Sequence, residues 1–232
     1  MKYRIVALVW LFICSGVYSQ IPECEKTLQS GPEIPGNQYY PDESQADNLP
    51  YLYSQWAQGS VSFRNGQIIS GIHLLFDLSK NLLIYHNDNL NISEVIDHRL
   101  VQSFILTDPG TGKSRKFAWL DLHTFYFADT TGIFAEVLAE GNISAYVLRV
   151  SEKKIASQVA QQKEQRFHYY PIQATYIQSK GEFRRFVPGR RNVMRLSAIH
   201  KSEIKTYIRS NRLNMKKEDD FARALNYLNT LK

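Results

Sequence analysis

Cysteine is almost missing from this chain: Cys14 and Cys24 are the only two in 232 residues. A disulfide framework is therefore excluded, and so is a Cys-x-x-Cys zinc or redox pair. Long apolar runs are missing as well. The longest near the start, Ile5 to Cys14, is shorter than the roughly 20 residues a spanning helix needs, and nothing later is apolar for long enough. Concentrated charge of one sign is also scarce, with 28 Lys+Arg against 22 Asp+Glu. That mild excess suits solubility and lacks the footprint of a nucleic-acid binder.

Catalytic signatures are thin too. There is no Gly-x-Ser-x-Gly elbow and no His-Glu-x-x-His, so the usual hydrolase and helical zinc patterns are absent. The stretch Gly110-Thr111-Gly112-Lys113-Ser114 imitates the end of a phosphate-binding loop. Such a loop needs a glycine five residues before its Gly-Lys pair, and Thr107 stands there. It should also open a helix, whereas Phe117 and Trp119 continue a strand pattern. Asp108 to Gly112 reads as a turn between strands at Ser103–Thr107 and Arg115–Leu120, and no nucleotide is expected.

What is present begins with an export signal. Lys2 and Arg4 precede the apolar run, and Val17 and Ser19 form a cleavage site before Gln20. Residues 1–19 are expected to be a signal peptide. Lipidation of Cys14 is the competing reading, disfavoured by Ile13, where a small residue is wanted. Removal of Lys2 and Arg4 leaves 26 basic against 22 acidic residues, a net +4. Cys24 then has no intramolecular partner. A reactive thiol or an intermolecular bridge is open to it, but no nearby histidine activates it, and an unpaired cysteine in an extended lead is the simpler expectation.

Residues 20–50 hold five prolines and no hydrophobic period, so they read as an extended lead. From Tyr51 the texture is β-rich. Val61 and Phe63 alternate with Ser60, Ser62 and Arg64. Asn65-Gly66 marks a hairpin whose two turn positions are expected at positive φ. Residues 82–88 read as a strand, and 93–106 as a connector followed by a strand from Val101. Gly141-Asn142 and Ser179-Lys180-Gly181 mark two further hairpins, with Pro171 placed early in its run as on an edge. Residues 153–167 are polar and read as a loop. Beyond Pro188-Gly189 the apolar spacing turns helical over 192–210 and 217–231. The expected fold is α+β, mainly β: a curved antiparallel meander sheet in one domain, 51–232, with two C-terminal helices packed on it.

Candidate chemistry is sparse. Six histidines occur, at 73, 86, 98, 123, 168 and 200. Asp121 and His123 would share a strand face. His86 and Asp88 fall in "YHNDN", where a turn is expected, and Ser79 and Ser93 have no distinguishing context. The densest charge feature is Arg184, Arg185, Arg190 and Arg191, interleaved with Phe183 and Phe186. It reads as an anion or partner site, or else as a solvated strand and turn whose arginines pair with nearby acids. Asn91-Ile92-Ser93 and Asn142-Ile143-Ser144 fit the N-glycosylation pattern.

Several stretches carry a resemblance. They are Trp56, Gly59 and Val61 before the Asn-Gly hairpin, "FAEVLAEGNISAYVLR" from Phe134, "TYIQSKGEFRRF" from Thr175, and "EIKTYIRSNRLNMKKEDDFARALNYLN" near the end. Together they resemble a set of secreted, uncharacterised proteins of Bacteroidetes-like Gram-negative bacteria. The resemblance implies an envelope location and brings no activity, cofactor or catalytic residue. The expectation is an exported non-catalytic envelope protein, periplasmic, outer-membrane-associated or extracellular, that binds or scaffolds a partner: an envelope protein, a lipid or a glycan. A carrier for an apolar or lipid-like ligand is the alternative, and a hydrolase using Asp121 and His123 is a third reading. No cofactor and no metal are expected.

Overall fold

The structure is a computed structural model and describes residues 34–41, 46–121, 132–157, 166–196 and 199–231. The expected signal segment, Cys24 and His123 lie outside the described residues. The strands are β1 (Gly36–Gln38), β2 (Ala57–Phe63), β3 (Ile68–Asp77), β4 (Leu82–Asn87), β5 (Ile92–Ile96), β6 (Val101–Thr107), β7 (Ser114–Asp121), β8 (Gly132–Ala139), β9 (Ile143–Ser157), β10 (Arg166–Ser179) and β11 (Glu182–Phe186). The helices are α1 (Arg190–Leu196), α2 (Lys201–Ser210) and α3 (Glu218–Thr230). All described strands join one antiparallel sheet in the order β1-β5-β4-β3-β2-β6-β7-β8-β9-β10-β11, so the mainly-β α+β class holds.

The sheet curls. Ser151 N in β9 donates to Leu78 O, just beyond β3, at 3.1 Å, although four strands stand between them in the sheet. Register shifts in β2 and β8 supply the local bending that bulges produce. Directly opposed residues of an antiparallel pair share a face. Phe117, Glu136, Val147, Thr175 and Phe186 are successive partners, so they mark one continuous inner face.

That face carries two apolar clusters. In the first, Phe76, Phe104, Phe117 and Phe134 interlock, with Phe104 and Phe117 stacked at 4.9 Å. In the second, Ala145 and Ile177 meet Val193 of α1, Ile204 and Ile208 of α2, and Phe221, Leu225 and Leu228 of α3. Each large side chain buried this way contributes about 1.5–3 kcal/mol relative to exposure. Asn229 of α3 fastens the helix to the β8–β9 turn: its Oδ1 accepts from Ile143 N at 2.9 Å, and its Nδ2 donates to Ile143 O at 2.9 Å.

Several expectations are corrected. The helix expected over 192–210 is two helices, with Ile199 86% exposed between them. The apolar spacing from Val193 to Ile204 stays in helical phase across the break, so the pattern hides it. The loop expected over 153–167 is partly strand. β9 runs to Ser157 and β10 starts at Arg166, because main-chain pairing with its neighbour satisfies a polar stretch as well as an apolar one. The start of the expected connector, Ser93 to Val95, pairs with β4 as part of β5. The lead contains a packed piece: Ile34 is buried and β1 pairs with β5. In the Asn65-Gly66 turn, only Gly66 has positive φ, 88°. Phe63 N donates to Gln67 O and Gly66 N to Phe63 O, a three-residue loop with glycine at its left-handed position.

Candidate functional site

The β9–β10 pair outruns its neighbours. β8 contacts β9 only as far as Val147, and β11 contacts β10 only from Thr175. Against the overhanging part lies the chain entering β2. Ala46 bridges Phe167, and Asp47 N donates to Phe167 O at 2.9 Å. Asn48 then acts like a strand neighbour: its Nδ2 donates to Tyr169 O at 2.8 Å, and its Oδ1 accepts from Tyr169 N at 2.7 Å. Pro171 falls on this overhang, where its missing N–H costs no ladder bond.

These segments enclose a half-open cleft of about 570 Å³, within the size range of small-molecule sites. Leu49, Leu52, Leu78, Val150, Pro171 and Ile172 supply its apolar wall. Asn48, Ser151 and Gln173 supply polar groups, and Tyr51 and Tyr169 add rings. The Tyr51 hydroxyl lies 3.0 Å from that of Tyr39. Burial, aided by this contact, pushes the Tyr39 phenol far above its ordinary range.

Arg149 is the charged member of the lining, and it is fully engaged. Its Nε donates to Glu136 at 2.6 Å, Nη2 to Glu218 at 2.5 Å and Nη1 to Gln173 at 2.8 Å. Burial alone would depress its pKa, but the two carboxylates outweigh burial and raise it. Arg115 adds a longer bond to Glu136 at 3.4 Å. Beside this network, the Tyr53 hydroxyl and Arg115 Nε are buried without a hydrogen-bond partner, and burial raises the Tyr53 phenol.

The arginines singled out in the sequence lie at the far end of the sheet. Arg184 and Arg185 are on β11, the terminal strand, and Arg190 and Arg191 open α1. Among the described residues none of the four takes part in an ion pair, so the pairing with nearby acids is not found. The fold adds Arg195, which lines a groove of about 280 Å³ with Arg184 and Arg185.

A third cluster extends the His86 and Asp88 pair of the sequence by His73. His73 and His86 are opposed residues of β3 and β4. Asp88 reaches His73 Nδ1 at 2.9 Å and stands 3.7 Å from His86 Nε2. Ser93 Oγ lies 3.3 Å from His86 Nδ1. Ser79 is tied locally, donating its hydroxyl to Asp77. Among the described residues no group of three or more His, Cys, Asp or Glu is arranged to hold a metal. Asp121 ends β7, and its pairing with His123 falls outside what is described. Asp108 to Gly112 forms the expected turn, with Asp108 Oδ1 accepting from Gly110 N and Thr111 N. No helix among the described residues is long and apolar enough to cross a membrane.

No family model, curated protein or solved structure matches this chain.

Proposed function

We propose that the chain is an exported, non-catalytic binding protein of the cell envelope, and that its cleft holds an apolar element of its partner. The observation that carries this reading is the composition of the cleft. Six of its twelve lining residues are aliphatic or proline, and the charged one, Arg149, is neutralised by Glu136 and Glu218. A ligand with its own charge would have to break that network, whereas an apolar group gains burial without doing so. The export signal and the resemblance to secreted envelope proteins support the location.

A second reading places a free lipid-like ligand in the same cleft. Its volume favours this, since about 570 Å³ is ample for an acyl chain. The filled first cluster favours the partner instead, because Phe76, Phe104, Phe117 and Phe134 pack against one another on the inner face while the cleft stays half-open. Native mass spectrometry of protein taken gently from its own envelope fraction separates the two. Association with a second polypeptide supports the partner reading, and a lipid-sized adduct supports the carrier. A bare chain that also fails to cross-link from a photoreactive residue at Leu49, an exposed residue of the cleft lining, contradicts both.

A further inference from the structure

The arginine edge lines a different groove from the cleft, and among the described residues its arginines make no ion pair. Residues 182–196 contain five arginines, no lysine and one acid, Glu182, for a net +4. The chain from residue 20 onward carries 26 basic and 22 acidic residues, also +4, so everything outside this stretch balances to zero. Lysine and arginine are equally common in the whole chain, fourteen each. An all-arginine stretch therefore points to the fork-shaped donor, which grips planar or tetrahedral oxyanions through two bonds, where lysine offers a point charge. Local stability does not account for the placement. Arg190 and Arg191 occupy the first turn of α1, with no acid beside them, at the helix end where cations are disfavoured.

Arg184, Arg185 and Arg195 border one groove, and Val187 forms part of the same wall. Val187 is 70% exposed. Arginines that line a groove together with a solvent-exposed apolar residue match a layer of phosphates above acyl chains. An acidic protein segment would satisfy the charge and leave Val187 without a purpose.

We propose that the β11–α1 edge docks the protein on an anionic lipid surface, with Arg184, Arg185 and Arg195 on lipid phosphates and Val187 entering the interface.

The test is co-sedimentation of the full chain with phosphatidylcholine vesicles that contain or lack phosphatidylglycerol. Three proteins are compared: the wild type, a triple variant with Arg184→Gln, Arg185→Gln and Arg195→Gln, and a charge-matched control with Lys201→Gln, Lys205→Gln and Lys216→Gln. All retain residues 5–14, so any affinity of that apolar run is common to them, and melting curves establish that each is folded. The proposal expects binding that needs phosphatidylglycerol, weakens about a hundred-fold in the arginine triple and changes by less than about three-fold in the lysine triple. Equal losses in both triples would overturn it, as would binding indifferent to phosphatidylglycerol. Retention on polyglutamate but not on vesicles would also overturn it and reassign the edge to an acidic protein.

Discussion

Arg149 and Glu136 meet at 2.6 Å on the inner face of the sheet, beside Phe117 and Phe134 of the first cluster and near Ala145 of the second. Glu136 is only 6% exposed and receives Arg115 as well. Removing one charge from so buried a group strands the others. Glu136→Gln is expected to cost about 3 kcal/mol. Glu218 is about one-third exposed, and Glu218→Gln is expected to cost about 1 kcal/mol or less. Urea unfolding of the two variants checks the ranking, and equal losses would contradict it.

Asn48 holds one wall of the cleft through Tyr169. Asn48→Ala leaves the Tyr169 N–H and C=O without these partners, at about 1–3 kcal/mol. The wall it secures should loosen, with apolar-probe affinity falling about ten-fold. Intact affinity at reduced stability would show that the wall does not depend on this side chain.

Gly132 has no room for a side chain. A Cβ there would stand 2.4 Å from the indole of Trp119, which is held between His98 at 4.7 Å and Phe134 at 4.9 Å. Gly132→Ala must displace that ring, and about 1–3 kcal/mol of destabilisation is expected, together with a shift in tryptophan emission. An unchanged spectrum and melting point would refute this packing.

Alkaline pH should unfold the protein in a characteristic way. Burial raises the phenols of Tyr39, Tyr53, Tyr85 and Tyr146. A raised folded value means that the neutral form is preferred in the fold. Its contribution is therefore complete below about pH 10, where unfolded tyrosine is also neutral, and is lost as pH climbs from there through the folded values. Phenolate absorbance should rise in two phases, the second coinciding with loss of circular dichroism. One phase near pH 10 with the fold intact would contradict the burial of these rings.

What was legible in the sequence is what depends on neighbours in the chain. Lys180 and Gly181 sit at φ 53° and 82°, and Asp108 closes its turn through its own next residues, so turn chemistry located those hairpins. The acidic start of α3, Glu218 to Asp220, marked a helix for an equally local reason. What escaped depends on register and distance. Asn48 and Tyr169 lie 121 residues apart, and Glu218 reaches Arg149 across 69. His73 joins His86 and Asp88 only once β3 and β4 are aligned. The arginines were legible as a charge run, but their lack of carboxylate partners and the recruitment of Arg195 required the fold.

The most direct test of the account is binding of a neutral apolar fluorophore to the wild type and to two tryptophan variants. Ser151→Trp fills the cleft. Tyr170→Trp changes a 43%-exposed ring that points to the opposite face of β10 from Tyr169. The account predicts saturable one-site binding that is lost in Ser151→Trp and kept in Tyr170→Trp. Equal binding by both variants, or none by the wild type, would contradict the claim that the cleft is where this protein holds its partner.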